Sequence, residues 1–143
     1  MAKDAIQKAS RPELKILAQA ILKAQPLEIN QMQEWRKVWY PKVSNAPIAW
    51  HAEMNHEMAM SVKQLNAMRM SMDLGKADSG YDDRFLEAMI PHHQGAVMMA
   101  KALAKNSTRP EMQKLAQEII TSQQAEIDQM KQWRSTWSTS TKS

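Results

Sequence analysis

The amino-acid sequence predicts an all-α protein: an antiparallel four-helix bundle with ferritin-like, up-down-up-down connections and a first helix kinked near Pro26. Three observations predict it. Residues 11–39, RPELKILAQAILKAQPLEINQMQEWRKVW, recur as residues 109–137, RPEMQKLAQEIITSQQAEIDQMKQWRSTW, without a gap and with about half the positions identical. Apolar residues elsewhere recur in steps of three and four, the period of a helix with one buried face. The 143 residues contain only 3 Gly and 6 Pro, too few for a turn-rich all-β fold. The length suits a single domain, residues 1–143, able to bury a core without staples.

The first helix spans 11–39. Ser10 lies three residues before Glu13, the spacing of a capping box, with Pro12 in the first turn. Pro26 stands where the second copy has Gln124; a mid-helix Pro removes a backbone hydrogen bond and bends the helix. Residues 41–47 (PKVSNAP) form a linker. A second helix over 48–74 then carries the seam His51, Met54, Met58, Val62, Leu65, Met68 and Met72, with Trp50 at its start. Residues 75–81 (GKADSGY) make a loop, and Asp82 or Asp83 caps a third helix over 83–105. That helix has two adjacent seams, one through Leu86, Ile90, His93 and Val97, the other through Phe85, Met89, His92 and Met99. The fourth helix, 109–137, buries Leu115, Ile119, Ile127 and Met130, and residues 138–143 form a loose tail. In the repeat Met1 aligns with Met99, so the first copy lacks the preceding helix, as a trimmed or mature form would. The tryptophans recur with the repeat, Trp35 matching Trp133 and Trp39 matching Trp137, which suits an aromatic cluster at a bundle end.

Composition narrows the function. With Cys 0, disulfides, zinc fingers, iron–sulfur clusters and cysteine nucleophiles are excluded. The formal charge of +4 is spread along the chain rather than gathered into a stripe, so no nucleic-acid partner is expected. No apolar run is long enough to span a membrane. Neither a phosphate loop nor a nucleophile elbow occurs, and no enzyme activity is expected.

The excess residue is Met, 13 of 143. The sharpest local pattern is MIPHHQGAVMMA, residues 89–100, in which His92 and His93 occupy the two core-facing seams. Adjacent helical residues point about 100° apart, so the two rings flank an axis that other helices can approach. Met89 lies one turn before His93 and Met99 about two turns after His92; His51, Met54 and Met58 offer a further stripe. Imidazole with thioether is a soft to intermediate donor set that suits Cu(I), and by the same softness Ag(I). A monovalent ion held by neutral donors is also far cheaper to bury than a dication. On the surface, His56 with Glu53 and Glu57 makes a weaker nitrogen–oxygen set for Cu(II). A Met stripe at helical spacing also reads as pliable core packing, so the alternative is a structural or protein-interaction bundle with a Met-rich core and no metal role.

The helix pattern Met-x-x-His-His-x-x-Ala-x-x-Met-Ala, followed by the Leu-Ala…Ile…Gln…Glu-Ile…Met…Trp helix, resembles a bacterial four-helix family catalogued as a domain of unknown function. The resemblance is strong over 83–137 and extends to 11–39 through the repeat. It implies a periplasmic or secreted copper-binding protein, a metallochaperone or store in copper resistance and homeostasis. In such a protein Cu(I) or Ag(I) sits in the bundle core at the positions of His92 and His93, then Met89 and Met99. A copper efflux or sensor protein is the implied partner.

Overall fold

The computed structural model describes residues 1–51 and 54–140. The chain adopts the expected all-α class, with one small hairpin: α1 (Ala2–Lys8), α2 (Pro12–Trp39), β1 (Ile48–His51), β2 (His56–Ala59), α3 (Val62–Arg69), α4 (Tyr81–Asn106) and α5 (Pro110–Ser140). The single domain expected from length resolves into two compact units, Met1–Ser79 and Gly80–Ser143.

In the first unit α1 packs on α2. α1 corresponds in the repeat to the last two turns of α4, so the first copy retains the end of the helix that was expected to be missing. This short partner explains how the two copies differ. Near their starts, Leu17 and Ala18 are as buried as Leu115 and Ala116. Further along, Ile29 and Met32 are exposed whereas Ile127 and Met130 are buried. A helix of 7 residues covers only the first turns of α2, while the 26-residue α4 runs along α5.

α2 starts with Arg11, not Ser10, in the N-cap position and Pro12 in the first turn, and the Arg11 side chain makes no cap hydrogen bond. It continues through Pro26 without interruption. Pro26 has no N–H to give the carbonyl one turn back, and it costs an interior helix about 3 kcal/mol or more. Pro26→Gln, the residue of the second copy, is therefore expected to stabilise α2 by up to about 3 kcal/mol. Slower amide hydrogen exchange around residues 22–28 would register the change. After α2, Arg36 donates to the Ser44 carbonyl and, at 3.3 Å, to Asn45 Oδ1, tying the turn back onto the helix.

The largest departure from expectation is the second helix. Residues 48–74 do not form one helix: β1 and β2 pair antiparallel with Ile48 opposite Ala59 and His51 opposite His56, and only Val62–Arg69 is helical. Trp50 lies in β1 rather than at a helix start. Two residues with positive φ interrupt the stretch, Asn55 (φ 53°) in the hairpin turn and Met70 (φ 49°) after α3. Asn tolerates that left-handed conformation better than other non-glycine residues. The Met60 N–H donates to the Pro47 carbonyl at 3.0 Å and closes the hairpin base. An amphipathic helix draws most of its stability from packing its apolar face. Met54, Met58, Met68 and Met72 are instead exposed, so that drive is missing.

The second unit is a helical hairpin. α4 takes Gly80 as its N-cap with no side-chain cap hydrogen bond, so neither Asp82 nor Asp83 caps it; Asp82 is instead buried in the first turn. The turn into α5 is held by the Arg109 N–H donating to Ser107 Oγ (3.2 Å) and Gln113 Nε2 donating to the Ser107 carbonyl (2.7 Å). α5 runs on to Ser140, so residues 138–140 of the expected loose tail are helical, and 141–143 lie outside the described residues. Two cross-contacts set the antiparallel register: Arg134 with Glu87 (3.2 Å), and His93 with Glu126 (2.7 Å). Along the interface Phe85, Leu86, Met89, Val97, Leu115, Ala116, Ile127 and Met130 are buried. Within each helix the paired tryptophans stack, Trp35 on Trp39 at 5.4 Å and Trp133 on Trp137 at 5.5 Å, as side chains four apart can.

Candidate metal centre

α4 carries His92 and His93 on successive positions directly after Pro91. The two rings lie 6.1 Å apart between centres, inclined at 63°. Adjacent positions on a helix point about 100° apart, so the two rings diverge from one another more than rings one helical turn apart would.

The two histidines are not equivalent. His93 is fully buried, and its Nε2 lies 2.7 Å from Glu126 Oε2 on α5. Its Nδ1 is buried without a hydrogen-bond partner among the described residues. A buried polar atom left unpaired costs about 1–3 kcal/mol, so this atom calls for an occupant. His92 is half-buried. Burial lowers its pKa below the ordinary histidine value, and the neighbouring His93 acts in the same direction. His92 therefore stays neutral, with a lone pair to offer, to a lower pH than a free imidazole.

The sign of the pH effect follows. Because the folded pKa of His92 is depressed, the unfolded chain binds the proton first as pH falls, and stability drops with it. The metal-free protein is expected to lose stability as pH falls from about 6.5, the ordinary histidine value, towards the lower folded value. His92→Gln is expected to flatten that part of the pH profile. Urea unfolding of both proteins between about pH 7.5 and about pH 5.5, one unit either side of the ordinary value, checks it.

The remaining expected donors separate into two groups. Met89, one turn before His93, is buried, and so is Met130 on the facing helix. Met99 is 56% exposed, and Met54 and Met58, expected inside the core, are 68% and 40% exposed. They fail as core positions for different reasons. Met99 falls on the outer side of α4, and the other two belong to the hairpin that replaces the expected helix. His51 sits in β1, directly opposite His56 in the strand register, so two residues that shared no helical face are paired across a hairpin. His56 is exposed, and Glu57 is the next position of β2. Glu53 lies outside the described residues. Among the described residues no three His, Asp or Glu side chains gather as a hard-metal site would require.

Of the 13 methionines only Met89 and Met130 are buried, so the alternative of a Met-packed core does not describe this protein. Sequence reasoning overlooked Glu126. It precedes Ile127 and lies four residues before Met130, so the helical period places a carboxylate on the seam facing α4.

Fold and site together define a class: a helical protein with a consecutive, partly buried histidine pair and no hard-metal cluster among the described residues. A model of the family described as "Domain of unknown function (DUF305)" matches residues 1–134, and the chain belongs to that family. Solved structures of CopM resemble it over 95% of its length. The Cu(I)-bound form is 41% identical over 83% of that chain (TM-score 0.69), and the Cu(II)-bound form 42% over 84% (TM-score 0.70). An Ag-bound form obtained by co-crystallisation is 40% identical over 83% (TM-score 0.70). At that identity and coverage the chain has a CopM-like helical fold. An uncharacterised protein of Acanthamoeba polyphaga mimivirus is 43% identical over 49 residues, and the match spans about a third of either chain. No helix of the described residues is long and apolar enough to cross a membrane.

Proposed function

We propose that this protein binds Cu(I), with Ag(I) as its mimic, between His92 and His93, with the buried thioether of Met89 as the nearest soft donor on the same helix. It serves copper homeostasis as a non-enzymatic carrier or store, in a periplasmic or secreted setting. The observation that carries this reading is the buried Nδ1 of His93, a nitrogen with no hydrogen-bond partner among the described residues. The Cu(I)-bound, Cu(II)-bound and Ag-bound forms of CopM support it. A donor set of imidazole and thioether favours the reduced ion and resists redox cycling, which suits carriage rather than catalysis.

The deciding experiment is an anaerobic titration of the protein with Cu(I) against a chromophoric chelator. One tightly held ion per chain is expected. A protein that cannot compete with the chelator, while its circular dichroism reports a folded helical protein, overturns the reading.

A further inference from the structure

We infer that Glu126 is the positioning residue of the paired-histidine site: its carboxylate fixes the ring tautomer of His93 and commits Nδ1, rather than Nε2, to the metal. The inference rests on the copper reading above and concerns how that site is built.

An ionised carboxylate can only accept hydrogen bonds, so at 2.7 Å from Glu126 Oε2 the hydrogen of the His93 ring belongs on Nε2. The contact is sheltered: the His93 side chain is 1% exposed and that of Glu126 26%. With Nε2 donating, the lone pair of the neutral ring lies on Nδ1, the atom that has no hydrogen-bond partner among the described residues. A metal-bound histidine commonly gives its other ring N–H to a carboxylate, which sets ring orientation and strengthens the donating nitrogen. His92 has no such carboxylate contact among those found for the described residues and is half-buried, so His93 is the anchored member of the pair and His92 the adjustable one. One negative charge beside the histidine also offsets the cost of burying a monovalent cation. The first copy of the repeat keeps the equivalent acid, Glu28.

The test is nuclear magnetic resonance on the full chain with isotopically labelled histidine nitrogens, before and after Ag(I), whose nuclear spin couples to a bound nitrogen. The metal-free protein is expected to show His93 as the Nε2–H tautomer, and Ag(I) to split the Nδ1 resonance. Glu126→Gln, which can donate as well as accept, is expected to mix the tautomers and weaken Ag(I) binding by about 10- to 100-fold. Glu126→Asp, which keeps an accepting carboxylate, is expected to retain the Nε2–H tautomer. Silver coupling on Nε2 overturns the inference and leaves the copper reading intact, as does a Glu126→Gln variant with unchanged tautomer and affinity. Silver coupling on neither His92 nor His93 overturns the copper reading itself. The measurement on the unaltered protein decides the matter even if Glu126→Gln does not fold.

Discussion

Replacing His92 and His93 together with alanine is expected to lower the affinity for Cu(I) by at least about 100-fold, since removing the donors themselves exceeds the loss from disturbing their supporting shell. The helical circular dichroism should survive. The His93 side chain leaves a small gap, and Glu126, already 26% exposed, can turn its carboxylate to water. Linkage supplies an independent readout. Metal that binds only the folded state stabilises it by about 2.7 kcal/mol at a free concentration 100 times the dissociation constant. Saturating Ag(I) should therefore raise the urea midpoint of the unaltered protein and leave that of the double variant in place. Equal shifts in the two proteins would show that the ion binds elsewhere.

The second large effect concerns stability rather than binding. Phe85 is fully buried on α4, one turn before Met89 and two turns before His93. Phe85→Ala removes most of a ring from a packed interface and is expected to cost about 3–5 kcal/mol. Because the chain comprises two compact units, the loss is best read with local probes, following amide hydrogen exchange of α4 and α5 beside that of α2. Faster exchange confined to α4 and α5 supports a local role for this side chain. Unchanged exchange would contradict the burial. The metal affinity of whatever remains folded should be little altered, in contrast to the histidine variant.

How far the sequence reached differs from element to element. α4 and α5 were legible because each keeps its helical period over more than twenty residues and has a full-length partner, so local pattern and packing agree. α2 was legible for the same reason near its start. Its second half, with Ile29 and Met32 exposed, shows that a correct period does not guarantee burial. Residues 48–74 were misread because methionines at steps of three and four satisfy a helix template without requiring a helix; Asn55 and Met70 adopt left-handed conformations that end it. The N-cap positions expected at Ser10, Asp82 and Asp83 fall instead on Arg11 and Gly80 for the same reason. Many polar residues can cap, and only the chain's path through the turn selects one.

By itself, the sequence determined the helical class, the repeat, the absence of thiol chemistry and the histidine pair, since each follows from residue identity and spacing along one helix. Only the tertiary structure decided which methionines are buried, that His51 faces His56 across a hairpin, and that Glu126 meets His93 from the facing helix. The physical reason is that a helical period fixes which residues share a face. What that face meets, and which nitrogen of a ring is left without a proton, depends on a neighbouring element distant in sequence.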